Sequence, residues 1–414
     1  MNFNEFGFDA TVLEGIAAIG YEQTTPVQEM AIPIILQGKD LIASAQTGTG
    51  KTAAFLLPII NKIITLGHHE KIKALIIVPT RELASQIDQN MEGFSYFTNV
   101  SSIAVFGGTD GATFTREKQA LTEGADVVIC TPGRMIAHLN MGYVDFSSLQ
   151  FLVLDEADRM LDMGFFDDIM KIISYLPKER QTVLCSATMP SRIRDLSKRI
   201  LKNPEEVSIA VSKPIERIRQ IIYSVNDAQK VPLICSILKD QLQLRTILVF
   251  CSTKSKTKQV SAALKKLKLS ANEIHSDLDQ VERENVLLAF KSRELKILVA
   301  TDIMSRGIDI EDIDMVINYD VPHDGEDYIH RIGRTARAAA EGVAITFVSS
   351  SDHRKFQAIE KLLEKKLPMS ALPEDVAGIK EDPSKREHQK KRSFRPQRRR
   401  DGESKGSGKP RRRT

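Results

Sequence analysis

Three short stretches carry residues whose types and spacing suit phosphate chemistry. In AQTGTGKTA, residues 45–53, Gly48 and Gly50 would let backbone N–H groups close around phosphate oxygens, Lys51 would reach the outer phosphates, and Thr52 could place its hydroxyl on Mg²⁺. Ala45 stands where the general phosphate-loop pattern has its first glycine, and Gln46, Thr47 and Thr49 complete the loop. In FLVLDEAD, residues 151–158, Asp155 would hold the water shell of the metal, and Glu156 can accept a proton from an attacking water. Two adjacent acids are as often ordinary loop residues; their place after an apolar run, in a chain that also has a G-K-T loop, favours catalysis. The third stretch is HRIGRTARAAAEG, residues 330–342, where Arg331, Arg334 and Arg337 recur at every third position beside His330. Spacing by threes predicts one helical face. Such a face can be no more than a solvated basic helix end, but a transferred phosphoryl group needs a cation from its far side.

Positioning these residues requires sheets. Short β-branched runs alternate with helix-length segments: ALIIVPT (74–80), SIAVFGG (102–108), DVVICTP (126–132), FLVLDEAD and TVLCSAT (182–188), and later TILVFCST (246–253), KILVATD (296–302), MVINYD (315–320) and VAITFVSS (343–350). Continuously apolar strands separated by helices imply α/β architecture with parallel sheets covered on both faces. There are two such series. A proline and four charges in SKPIERIRQ interrupt the pattern between them, so the expected division is a first domain over 1–211, a linker over 212–219, a second domain over 220–368 and a tail over 369–414. In open α/β sheets ligands gather beyond the carboxyl ends of strands, where the G-K-T loop and the acids Asp155 and Glu156 fall.

Charge is unevenly shared. The net charge is +4, yet residues 380–414 hold 15 Lys and Arg against 5 Asp and Glu, which leaves the body at −6. With Phe394 as its single aromatic, this basic arm has too little apolar surface to fold and suits contact with phosphate backbones, although a solubility tail is the plainer alternative. The four cysteines are far apart, with no metal-ligand or disulfide spacing, and no apolar run suggests an export signal or membrane span. A soluble protein of the reducing cytoplasm is expected.

D-E-A-D at 155–158, with its companions, resembles the DEAD-box family of ATP-dependent RNA helicases. The companions span residues 3–350 in order: Phe3, GYEQTTPVQ ending at Gln28, AQTGTGKT, PTREL (79–83), Gly107–Gly108, TPGR (131–134), SAT (186–188), the VFCST strand end, QVER (280–283), ATDIMSRGID (300–309) and HRIGRTAR (330–337). The resemblance implies two RecA-like domains that clasp ATP, Mg²⁺ and RNA between them, with Arg334 and Arg337 as arginine fingers and His330 as a coupling residue. It further implies that Gln28 reads adenine with Tyr21 and Phe3 packed around the base, and that Gly307 and Asp309 lie at the ribose. Asp158, Ser186 and Thr188 would relay between nucleotide and RNA, and Thr80, Arg81, Gly108, Thr131, Arg134, Arg283, Thr301 and Asp302 would form the RNA track. Such residues bond phosphates and 2′-hydroxyls, and without tryptophan the chain has few platforms for stacking bases, so little sequence preference is expected. Thr24 replaces a proline usual in the adenine motif, and Ala336 and Ala339 replace glycines usual in the last motif.

A DNA-directed motor would share the core, but the Gln28 motif and the D-E-A-D spelling favour RNA. An RNA clamp that uses hydrolysis only for release stays open as an alternative, whereas a small-molecule phosphotransferase would need neither the second sheet nor the arm. The compact core with a basic arm resembles bacterial RhlE-type members, which implies a monomer acting with ribosome-assembly or RNA-decay proteins.

Overall fold

The computed structural model describes residues 1–45, 48–66, 71–108, 111–208, 218–239, 241, 243–301, 313–323, 325–335 and 342–379. Gln46, Thr47, Asp302, Gly307, Asp309, Arg337, Ala336, Ala339, most of the expected linker and the basic arm lie outside these residues.

The N-terminal sheet contains β1 (Leu41–Ser44), β2 (Ala74–Ile77), β3 (Ser102–Val105), β4 (Val127–Cys130), β5 (Phe151–Leu154), β6 (Gln181–Ser186) and β7 (Glu205–Ser208). Its order is β3-β4-β2-β5-β6-β1-β7, every pairing parallel, with Leu154 of β5 registered between Ile77 and Leu184. The C-terminal sheet contains β8 (Ile218–Ser224), β9 (Ile247–Cys251), β10 (Ala271–Ile274), β11 (Ile297–Thr301), β12 (Met315–Asn318), β13 (Gly342–Val348) and β14 (Met369–Ser370). Its order, β10-β11-β9-β12-β13-β8-β14, is parallel throughout.

Inner strands such as FLVL and ILVFC are buried along their whole length, because helices cover both faces of each sheet. One of those helices, Lys51–Leu66, is apolar nearly all round and lies buried against the N-terminal sheet core, which fixes its first residue, Lys51, at the rim. Edge strands β7 and β10 are more polar and do not read as strands in sequence for that reason. Among the described residues no helix is long and apolar enough to cross a membrane.

Two expected boundaries shift. Residues 218 and 219, placed in the linker, already belong to β8, where Ile218 pairs with Gly342 and Arg219 with Val343. The tail does not begin at 369: Met369 pairs with Ile222, the turn of helix Glu374–Ala377 buries Val376, and the carbonyls of Val376 and Ile379 accept hydrogen bonds from Gln229 and Asn226. Leu372, Val376 and Ile379 join the C-terminal core, so that domain runs to Ile379. The apolar residues of 369–379 cover one edge of the sheet, a role that the basic composition beyond them conceals.

Candidate nucleotide and RNA site

Local sequence shapes the rim of the N-terminal sheet. Thr25 and Gln28 form a capping box at the start of helix Pro26–Leu36: the Gln28 Oε1 accepts the Thr25 N–H at 2.9 Å, and its Nε2 donates to the Gly50 carbonyl at 3.2 Å. Gly50 has φ +91°, and a Cβ there would come within 2.6 Å of Gln28 Nε2, so only glycine permits this approach. Thr24, in place of proline, ties its N–H and hydroxyl to the Met1 carbonyl, and the same hydroxyl lies 2.8 Å from Glu29, which also pairs with the N-terminal amine. The substitution therefore exchanges ring stiffness for a tether to the first residues.

Lys51 opens its helix and is buried, with its ammonium donating back to the carbonyl of Ala45. Across from it, Asp155 and Glu156 follow β5. Asp155 is only 3% exposed; burial pushes its carboxyl up to about 6, against the pull of Lys51, with the neighbouring Glu156 adding to the rise. Glu156 takes a left-handed backbone conformation, φ 50° and ψ 48°, that turns it away from Asp155, whose Oδ1 accepts the Glu156 N–H at 2.9 Å. Burial works to raise the Glu156 carboxyl too, but Arg159, bonded to it at 3.0 Å, outweighs that together with Arg334 and Lys51 and holds it below the usual range. Arg159 is not a residue the sequence singled out. Its spacing of three from Glu156 on one helical turn was the available signal.

A cavity of about 390 Å³ joins these groups, lined among others by Tyr21, Gln28, Gly48, Lys51, Asp155 and Glu156. Phe3 stands behind Tyr21, buried, with ring centroids 6.3 Å apart, and supports the wall without being part of it. The donor set fits a triphosphate: loop N–H groups, one ammonium and an amide-bearing wall. Thr52 and Asp155 fit its metal, since a buried carboxylate raised by burial is eased by an added cation. Among the described residues no cluster of three or more His, Cys, Asp or Glu could hold a metal by itself.

Asp158, Ser186 and Thr188 are hydrogen-bonded into one group. Asp158 Oδ2 accepts from the N–H of Ala187 at 3.1 Å and from the N–H and hydroxyl of Thr188 at 3.0 Å, and Ser186 donates to the Thr188 carbonyl at 2.7 Å. Arg81 crosses over Gly108, where φ is +84° and a Cβ would fall 1.9 Å from its guanidinium. Thr80 and Thr131 are the N-cap residues of helices Arg81–Ser95 and Pro132–Asn140, and the Thr80 hydroxyl is occupied by the Leu83 N–H at 3.3 Å. Thr301 ends β11, and Arg283 donates to the Ser276 carbonyl at 3.0 Å. Arg134 is engaged by a buried acid, Glu117, that the sequence did not point to.

Of the evenly spaced arginines, Arg331 and Arg334 do not share one helical face. The helix ends at Ile332, one residue past Arg331. Arg331 turns into its own domain, donates to Asn318 Oδ1 and to the Asp320 carbonyl, both at 3.0 Å, and lies over the Phe250 ring. Arg334, in the turn that follows, directs its charge at Glu156 of the other domain. His330 is pushed down to about 4, chiefly by burial, with Arg334 adding to the fall and Asp158 opposing it, so its ring is neutral at pH 7.

Residues 25–196 match the DEAD/DEAH box helicase family, and residues 229–339 match the helicase conserved C-terminal domain. The chain is 42% identical over 377 residues to the ATP-dependent RNA helicase CshA of Listeria monocytogenes, covering 91% of this chain and 71% of that one. Its fold is similar to S. cerevisiae Dbp5 bound to RNA and ADP BeF3, with TM-score 0.78, 29% identity and 90% and 95% of the two chains covered. It is similar also to Mss116p bound to ssRNA and AMP-PNP, with TM-score 0.80, 29% identity and 90% and 80% covered.

Proposed function

The chain belongs to the DEAD-box family of ATP-dependent RNA helicases, and from that premise we propose how its own residues perform the work. It is an RNA-dependent ATPase that binds and remodels RNA. The observation that carries the assignment of roles is that Arg334, a cation of the C-terminal domain, acts on Glu156 of the N-terminal domain, which lines the same cavity as Lys51.

Gln28 and Tyr21 hold the adenine, the loop from Ala45 to Thr52 encloses the phosphates, and Thr52 and Asp155 would hold Mg²⁺. When bound, the metal supplies charge that neutralises the phosphate oxygens. Glu156 is the proton acceptor for water. Arg159 and Arg334 keep it ionised at neutral pH, the state a base requires. Arg334 neutralises charge on the transferred phosphoryl group. Asp158, Ser186 and Thr188 join the nucleotide rim to the RNA side, and Arg81, Gly108, Arg134 and Arg283 contact the RNA backbone. His330, neutral, sits between the charges of both domains and senses their approach. The protein acts as a cytoplasmic monomer with ribosome-assembly or RNA-decay proteins.

Arg334→Ala is expected to lower RNA-stimulated turnover by about 10³- to 10⁵-fold while nucleotide binding changes little. Equal ATPase in variant and wild type would remove Arg334 from the chemistry. Single-turnover hydrolysis alongside duplex separation distinguishes the helicase from the clamp, in which strands would stay paired while ATP is consumed.

A further inference from the structure

Arg134 is held by an apparatus that its motif does not contain. Its Nε and Nη2 both lie 2.7 Å from Glu117 Oε2, and its guanidinium lies over the Phe114 ring, 4.6 Å from the centroid. The same Glu117 oxygen is 2.9 Å from His138 Nε2. His138 stacks on the other contact of the arginine, with its ring 4.6 Å from Phe114 and 12° from parallel, and its Nδ1 pairs with the Tyr143 hydroxyl. An imidazole carrying its proton on Nε2 satisfies both contacts: Tyr143 donates to Nδ1, and Nε2–H donates to Glu117.

Glu117 is 1% exposed and His138 fully buried. The other carboxylate oxygen, Glu117 Oε1, is buried without a hydrogen-bond partner among the described residues. Burying a carboxylate with half its acceptors unmet is unfavourable, and a negative charge beside a phosphate-binding cation weakens attraction for RNA. Neither cost has a return in stability alone, since an apolar pair would fill the same space between helices Gly111–Glu123 and Pro132–Asn140. What the arrangement does provide is orientation: a long guanidinium is clamped in plane by a bond on one edge and a ring beneath it.

We infer that Glu117, seated by His138 and Tyr143 and backed by Phe114, is the positioning residue that presents Arg134 to the RNA backbone. The inference rests on the proposed RNA-contact role of Arg134. Freezing one long side chain before binding spares an ordering cost of about 0.5–1.5 kcal/mol, so losing the clamp should raise the RNA concentration for half-maximal ATPase by about 2- to 13-fold.

The test is a double-mutant cycle of Glu117→Gln and Arg134→Ala, reading ATPase against RNA concentration. Glu117→Gln should raise the half-maximal RNA concentration by that factor, with the rate at saturating RNA moving less than about twofold. In the Arg134→Ala background it should add nothing. No change in RNA requirement, a lower requirement, or the same increase in both backgrounds would each overturn the inference. Should Glu117→Gln fail to fold, Phe114→Leu, which keeps the charge pair and removes the ring face, carries the same expectation. Wild-type ATPase indifferent to RNA would sink the helicase assignment itself. RNA stimulation that weakens with Arg134→Ala but not with Glu117→Gln would sink only the positioning role.

Discussion

Asp155 and Asp320 occupy equivalent places in the two sheets: each follows the fourth strand in spatial order, β5 in one and β12 in the other, just beyond its carboxyl end. Both are buried, yet their chemistry is opposite. Asp155 meets Lys51 and two further acids, and its carboxyl is pushed up. For Asp320 burial also acts upward, but Lys230 at 2.9 Å, Lys256 at 2.7 Å and the N–H and hydroxyl of Ser252 at 2.9 and 2.8 Å hold it well below the usual carboxylate range. Lys230 is raised in turn: burial lowers it, and Asp320, Asp227 and Asp352 more than compensate. The lesson is that a buried charge satisfied within the chain is structural, while one left in need of a cation marks where a ligand belongs. On the proposed reading, the duplicated fold uses one position for binding in its first copy and for bracing in its second. That brace includes the strand end to which Arg331 is bonded, on the helix just before Arg334.

The largest expected effect comes from exchanging the two acids for amides. Asp320→Asn leaves Lys230 buried without its nearest anion and should destabilise the protein by about 3–5 kcal/mol in denaturant unfolding. Asp155→Asn should stabilise the ligand-free protein by about 1–3 kcal/mol at pH 7.5 while abolishing turnover. If both variants lose stability alike, the contrast between the domains is wrong.

Acidification sharpens the same contrast. A depressed carboxyl such as Asp320 contributes stability that is present above its unfolded value of 3.8 and is lost as pH falls further toward its folded value. The raised Asp155 does the reverse: its cost is full above about 6 and vanishes as pH falls toward 3.8. The advantage of Asp155→Asn over wild type should therefore shrink between pH 7.5 and 5, as melting midpoints would reveal; a constant advantage would refute the ionised, strained state of Asp155.

A smaller effect is expected beside it. Arg159→Met removes the cation that does most to hold Glu156 down. The acid limb of the ATPase pH profile should move to higher pH; an unmoved limb would dissociate Arg159 from the base. The smallest concerns Lys202 and Glu179, an ion pair at 2.8 Å with both partners exposed. Lys202→Ala should leave the melting midpoint unchanged, because water screens such pairs. A loss comparable to that of Asp320→Asn would erase the distinction between buried and exposed pairs.

Legibility followed locality. The turn at Gly50, the lysine at the start of its helix and the acids after β5 are set by neighbours in the chain, and their residue types announce phosphate chemistry. Arg331 and Arg334 show where a local rule fails. Even spacing implied one face, but the helix ends after Ile332, so Arg331 bonds within its own domain while Arg334 acts on Glu156 of the other. The relay from Asp158 to Thr188 spans 30 residues and was identified only because its motifs resemble a family. Glu117 and Arg159 belong to no quoted motif, and the boundary at 369 was misplaced because its few apolar residues adjoin a strongly basic arm.

The chain alone determined that there would be two parallel sheets, where their inner strands lie and which loops carry phosphate-binding groups, since hydrophobic runs and glycine turns act over a few residues. Tertiary structure alone decided which charges are spent inside the protein. Lys230 and Asp320 stand 90 residues apart, and Glu117 and Arg134 17 apart on separate helices. Whether a buried charge finds its counterion depends on distances that exist only once the strands have taken their order in the sheet.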